Sequence, residues 1–357
     1  MLIRRVLLTL VAMAVLVGGS TPLLAQAPKA SKEQAKRNKQ QQADAAVLVQ
    51  LVDKVSAAEP VTAAGTASDQ RQGEVVITWD SNHFLKAQDG MTYIPFTVQV
   101  DPAALGSPSA ALYVRAINRT PPAATGKDDK NKDKDKGKAT FAWDNSYSSS
   151  VRADGKLSRA IALPGGDYEV FIAIKDAGTG DKKQIPKMGL LRRNLTVPDF
   201  KKPELVTSSI LVGSISPLEQ LLTPDQQAEA PYSFGTMKIE PVKDPKISKT
   251  GELSLVFWIY GVGNDPVTSK PNVLVEYNFH QKTADGETFF NKTAPQELNA
   301  QSLPPQFDVN AGYQLPGSLA VPLASFPAGD YRLEIKVTDK VAGKSITQNV
   351  NFSVAAS

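Results

Sequence analysis

Leu163-Pro164-Gly165-Gly166-Asp167-Tyr168-Glu169-Val170 and Phe326-Pro327-Ala328-Gly329-Asp330-Tyr331-Arg332-Leu333 are two versions of one stretch: a proline turn, a Gly-Asp pair and a tyrosine that opens an alternating run. Their tyrosines stand 331 − 168 = 163 residues apart. The same offset carries Leu112, Val114 and Ala116 onto Val275, Tyr277 and Phe279, and Ile94 and Phe96 onto Phe257 and Ile259. One spacing that survives across three apolar strands predicts a duplicated β-domain, with Pro164, Gly166, Asp167 and Tyr168 matched by Pro327, Gly329, Asp330 and Tyr331.

The strands between these landmarks show the period of half-buried β structure. Ile94, Phe96, Val98 and Val100 alternate with Tyr93, Pro95, Thr97 and Gln99, and Tyr168, Val170, Ile172 and Ile174 repeat the pattern after the turn. Tyr331, Leu333, Ile335 and Val337 alternate with Arg332, Glu334, Lys336 and Thr338. In Leu253 to Tyr260 both faces are apolar, so the side bearing Val256, Trp258 and Tyr260 needs a cover. Short alternating strands separated by turn residues predict an all-β chain of two tandem antiparallel sandwiches.

The amino terminus carries Arg4 and Arg5, an apolar run from Val6 to Val17 and the small-residue stretch Ala25-Gln26-Ala27, the layout of a secretory signal peptide. The run is too short for the roughly 20 residues that span a bilayer, so residues 1–25 are expected to be removed and no transmembrane span to remain. Residues 26–70, rich in Ala, Gln and Lys, form a disordered or partly helical tether; Ala43, Val47, Leu48, Leu51, Val52 and Val55 recur at helical spacing, predicting a helix from about Ser31 to Ala57. The first sandwich is expected over 71–200, beginning with a strand from Glu74 to Trp79, then a linker over 201–230 and the second sandwich over 231–357. Within the linker, Leu205 to Ser214 reads as a strand and Pro217 to Leu222 as a helical turn.

The chain has no cysteine, so disulfides, thiolate metal sites and cysteine nucleophiles are excluded and its stability must come from apolar cores. An export signal without cysteine favours a bacterial envelope protein, periplasmic or at the cell surface. A net charge of +4 over 357 residues, without a basic stripe interleaved with aromatics, argues against nucleic-acid binding. The Lys-Asp run from Gly126 to Lys138 interleaves ammonium groups among its carboxylates and reads as a solvated extension rather than a calcium loop.

The Pro-x-Gly-Asp-Tyr turn, followed by an alternating strand and a closing aspartate at Asp176 or Asp339, resembles the penultimate strand of immunoglobulin-like modules of bacterial surface proteins, where a tyrosine corner is found. The run from Ser208-Ser209-Ile210-Leu211 through Phe257-Trp258-Ile259-Tyr260 to the last two strands resembles the carboxy-terminal sandwich regions of exported GWxTD-type and von Willebrand factor A-related bacterial proteins, although the GWxTD motif is absent. The resemblance implies a fold and an envelope location and carries no catalytic residue.

The two histidines, His83 and His280, have no ligand-spaced companion, no Gly-x-Ser-x-Gly elbow occurs and neither phosphate-binding glycine signature is present. No catalytic, cofactor or metal residue is assigned. Binding has more to work with. Trp258 and Tyr260 are the leading pair for a binding or interdomain face; Phe171 points away from the inferred core, and Trp143 with Tyr147 reads as part of a loop. The expected role is structural or protein-interacting, with an envelope protein as partner. Surface polysaccharide bound by exposed aromatics is the alternative, and an envelope hydrolase with paired carboxylates a third reading.

Overall fold

The computed structural model describes residues 32–58, 70–87, 89–106, 108–119, 141–177 and 186–356. The signal segment and the Lys-Asp run lie outside them. The described chain forms two units: one made of residues up to Asp199 together with Pro224–Pro231, the other of Phe200–Thr223 with the segment from Tyr232 onward. Each is a β-sandwich whose long strands pair antiparallel.

The first unit contains β1 (Gln70–Gly73), β2 (Ile77–Asn82), β3 (Leu85–Lys86), β4 (Thr92–Val100), β5 (Ser109–Asn118), β6 (Trp143–Ser150), β7 (Lys156–Leu163), β8 (Gly166–Asp176) and β9 (Met188–Val197). One sheet runs β1-β9-β8-β5-β6; in the other, β4 pairs with β2, β3 and β7. Alternation sends Ile94, Phe96 and Val98 of β4 against Leu112 and Val114 of β5 and Tyr168, Val170 and Ile172 of β8, all buried, and Trp79 stacks on Phe96 with ring centroids 5.2 Å apart. The expected first strand begins later, at Ile77, because Gln70–Gly73 pairs separately with β9.

The second unit contains β10 (Val206–Thr207), β11 (Leu211–Pro217), β12 (Ser233–Phe234), β13 (Met237–Pro241), β14 (Lys246–Ser248), β15 (Glu252–Tyr260), β16 (Val273–Thr283), β17 (Gly286–Lys292), β18 (Gln296–Leu298), β19 (Leu315–Pro322), β20 (Gly329–Asp339) and β21 (Lys344–Ala355). Its sheets run β10-β15-β11-β13-β12, with β19 also on β15, and β14-β21-β20-β16-β17, with β18 also on β16. Residues 200–223, expected as linker, supply β10 and β11 to this unit. The helical turn expected at 217–222 comes later, as α2 (Pro224–Glu229), and belongs to the first unit.

The 163-residue offset holds in the pairing of β5 with β8 and of β16 with β20, but not in that of β4 and β15 with their neighbours, where Ile94 faces Ile161 and Phe257 faces Gly317. Val114 faces Ile172 between β5 and β8, and Tyr277 faces Ile335 between β16 and β20; adding 163 to the first pair gives the second. Both turns are built alike. Tyr168 donates its hydroxyl to the Pro164 carbonyl at 3.0 Å, and Tyr331 donates to the Pro327 carbonyl at 2.8 Å. Gly166 and Gly329 adopt φ of 151° and 147°, a region that side chains with a Cβ avoid, so glycine lets each strand leave its turn beneath the tyrosine ring. The closing Asp339 is fully buried and accepts from the backbone N–H groups of Gly263, Val341 and Ala342, tying two loops at one end of the second unit.

Candidate functional site

The outer face of the first unit's five-stranded sheet is not exposed. On β8 the residues that alternate with the core are Glu169, Phe171, Ala173 and Lys175, and on β5 they are Tyr113 and Arg115; all are buried. The cover is α1 (Lys32–Ala58), whose Leu48 and Val52 are buried against Tyr113, Phe171, Ala173 and Leu190, with Val55 packed alongside. The seam differs from the predicted stripe: Ala43 is exposed and Val47 largely so, while Asp44 is buried. Positions 44, 48, 52 and 55 lie on one helical face. Phe171 thus points away from the sandwich core, and what it meets is this helix.

Charge fixes the helix at both ends of the seam. Lys175 donates to Asp44 at 2.6 Å, both side chains being more than nine-tenths buried. Arg115 donates to Asp53, also lies near Asp144, and rests over the Phe141 ring with its guanidinium carbon 3.8 Å from the centroid. Deeper on the same face, the fully buried Glu169 accepts from Arg119 and Arg192. Burial, followed by its hydrogen bond to Asp144, holds the Tyr113 hydroxyl well above the ordinary tyrosine range. Sequence reasoning singles out none of Asp44, Asp53, Lys175 or Arg115. The available signal is Phe171 and Ala173 at the outward positions of β8, and an aspartate set on the apolar stripe of a helix.

A cleft of about 410 Å³ opens between α1 and β6, lined by Gln41, Gln42 and Asp44 on one side and by Ser146, Tyr147 and Ser148 on the other. Trp143 and Tyr147, expected in a loop, belong to strand β6. They lie opposite Ala116 and Leu112, so their rings turn toward the sandwich interior and are half-buried against its core. The Trp143 indole N–H donates to the Tyr147 hydroxyl at 3.2 Å. Behind them lies Arg159 of β7, buried among the core-facing residues of its strand. It donates to the carbonyls of Ser158, Ala228 and Ser148, to the Ser149 hydroxyl at 2.7 Å and to Glu229 of α2 at 3.2 Å.

Trp258 and Tyr260 are both buried within the second unit and are not solvent-facing platforms. Phe234 covers Trp258 at 5.0 Å between centroids, and Phe200 covers Tyr260 at 5.1 Å. These aromatics close the second apolar face of β15. The outer face of the β14-β21-β20-β16-β17 sheet, by contrast, carries Arg332 bonded to Glu287, Glu334 and Asn349, and Lys336 near Glu276. Among the described residues no helix is long and apolar enough to cross a membrane, and no group of three or more His, Asp or Glu is placed to hold a metal ion.

The fold and these faces define an all-β, sandwich-type protein. No family model matches the chain, and no curated protein does. Among solved structures, the PmoD soluble domain of a Methylocystis species matches 41% of this chain and 89% of its own at 13% identity, with a TM-score of 0.19. Trypsin-activated alpha-2-macroglobulin from Escherichia coli matches 81% of this chain at 10% identity with a TM-score of 0.22, and this chain spans 17% of that protein's length. At these scores neither likeness extends to function.

Proposed function

We propose that the protein is an exported, non-catalytic component of the bacterial cell envelope in which two repeated immunoglobulin-like sandwiches serve a structural or protein-docking role. The observation that carries this reading is the helix-bearing face of the first sheet. A β-sheet whose outer face holds a helix through an apolar seam flanked by ion pairs has the chemistry of an interaction surface, and here its occupant is supplied by the chain's own α1. The second unit's sheet offers its outer face uncovered among the described residues, with the Arg332–Glu287–Glu334 and Lys336–Glu276 arrays as polar recognition groups. The expected signal peptide and the resemblance to exported bacterial sandwich regions support the location.

Crosslinking and mass spectrometry of the tagged full chain in its native envelope test this. A specific protein partner, lost when Arg332 and Lys336 are both changed to glutamate, is the expected result. Recovery of no protein partner from either form overturns it.

A further inference from the structure

Among the described residues β6 is the outermost strand of its sheet and pairs only with β5. The Val151 N–H donates to the Pro108 carbonyl, so by alternation residues 149, 147, 145 and 143 bond to β5. The backbone N–H and C=O groups of Asp144, Ser146 and Ser148 therefore point to the free edge. Arg159 closes that edge at one place, where its Nη2 donates to the Ser148 carbonyl at 3.2 Å. The outward groups of Asp144 and Ser146 bond to no described residue. β6 also carries none of the lysines, prolines or bulges by which exposed edges are protected.

This edge borders the cleft beneath α1. Asp44 meets Lys175, which pairs with Ala111, and Asp53 meets Arg115. The helix rises about 13.5 Å between those aspartates and β5 advances about 13 Å from Ala111 to Arg115, so α1 runs along the strands rather than across them. The cleft of about 410 Å³ accordingly lies lengthwise beside β6, lined by Ala45, Leu48 and Ala111 and bordered by the short side chains of Ser146 and Ser148. Farther along the edge stands Asp144, whose side chain is 44% exposed. One of its oxygens accepts from Tyr113 and lies 3.7 Å from Arg115; the other bonds to no described group. With the exposed Asp53, two carboxylates there face the single buried guanidinium of Arg115.

We infer that this edge takes an extended peptide segment of a partner protein, added antiparallel to β6 as a sixth strand, with an apolar side chain opposite Ser146 and a lysine or arginine opposite Asp144. The unpaired backbone groups of Ser146 and Asp144 select a peptide backbone, since each residue can exchange two hydrogen bonds with the one it faces. Directly opposed side chains project on the same face of a sheet. The apolar one therefore crosses the small serine into the cleft toward Ala45 and Leu48, and the cationic one meets the free oxygen of Asp144. In an antiparallel strand the residue facing Asp144 comes two places after the one facing Ser146, so the recognised pattern is apolar-x-basic. The Ser148 carbonyl, held by Arg159, ends the ladder and sets this register. The surface is made of different residues from the Arg332 and Lys336 arrays and goes beyond the docking role proposed for them.

The probe is a fluorescein-labelled, end-blocked pentapeptide, Thr-Leu-Thr-Lys-Thr, titrated into the full chain and followed by fluorescence anisotropy. Replacing its lysine with glutamate, or exchanging its leucine and lysine, is expected to weaken binding by roughly threefold to tenfold. Methylation of the leucine nitrogen, which faces β6, is expected to abolish binding, and methylation of the central threonine nitrogen, which faces away, to leave it unchanged. Ser146→Pro removes an outward N–H without breaking a bond of the fold's own ladder, so it should weaken binding by roughly tenfold or more at an unchanged melting temperature. No binding at millimolar peptide, or equal binding by the leucine-methylated peptide or by Ser146→Pro, overturns the site. Equal binding of the glutamate peptide overturns the role of Asp144. A chain that sediments as a dimer, and as a monomer when Ser146 is proline, assigns the edge to a second copy and overturns the partner peptide. If Ser146→Pro fails to fold, the two methylated peptides still decide the matter on the native chain. A failed titration leaves the crosslinking result untouched, because that reads Arg332 and Lys336.

Discussion

Tyr168 and Tyr331, 163 residues apart, each donate a hydroxyl to the carbonyl of the proline four residues earlier, at 3.0 and 2.8 Å. Both rings are buried, so the phenolic oxygen has few other partners and the bond pins a strand start to its own turn.

Tyr168→Phe and Tyr331→Phe should therefore each cost about 1 kcal/mol, the net worth of one such bond with its acceptor left short of a donor. Because the two turns lie in different units, the double variant should show the sum of the two losses. Urea unfolding curves of the four forms check this; a loss in one tyrosine variant alone would mean the two turns are not equivalent supports.

The Asp44–Lys175 pair predicts a strong asymmetry. Lys175→Met leaves a buried carboxylate without its counter-charge, with Gln40 still donating to it, and should destabilise α1 docking by roughly 3–5 kcal/mol, whereas Asp44→Leu combined with Lys175→Met should lie near wild type or above it. Amide exchange across residues 44–55 is the readout. Protection lost in the single variant and regained in the double is the expected pattern, with β5 and β8 protected throughout.

Gly317 pairs with Phe257 across β19 and β15, and a Cβ there would overlap the Phe257 ring. Gly317→Ala should cost roughly 1–3 kcal/mol through overpacking. Phe257→Leu in the same chain should recover part of it, measured as the shift in urea midpoint at unchanged slope.

His83 supplies the pH dependence. Burial lowers its pKa from the ordinary 6.5 to about 4, so the folded state binds fewer protons than the unfolded state between those values. Stability is full above pH 6.5 and falls as pH drops toward 4, by at most about 3 kcal/mol from this residue. His83→Gln should flatten the stability profile in that window and leave it unchanged above it. A wild-type profile already flat between pH 4 and 6.5 would refute the assignment.

What the amino-acid sequence makes legible follows from what period-2 patterning encodes. Ile94, Phe96, Leu112, Val114, Tyr168 and their counterparts 163 residues on are core residues because alternation determines side-chain direction, and the strands at Gly166–Asp176 and Gly329–Asp339 begin at the quoted motifs. The Trp258 and Tyr260 side is legible only as a face in need of cover; Phe200 and Phe234, which provide it, reach β15 from elsewhere in the chain. Arg159 and Lys175 are illegible for a physical reason. A charged residue in an alternating strand looks solvent-facing until its distant partner is known, and those partners, Glu229 and Asp44, lie 70 and 131 residues away. Trp143 and Tyr147 read as loop residues because β6, with its serines and asparagine, lacks the apolar alternation that marks its neighbours.

The return of Pro224–Pro231 to the first unit has a practical consequence for dissecting the chain. A fragment ending at Asp199 would look complete by its strands, yet it would lack the Glu229 carboxylate and the Ala228 carbonyl that hold Arg159, and the Pro231 carbonyl that accepts from Tyr93. A fragment beginning at Tyr232 would lose β10 and β11, which pair with β15. Neither half can be released by a single cut. Independent study of one sandwich requires rejoining its pieces in a different order, with 224–231 grafted after 199 and 200–223 fused ahead of 232.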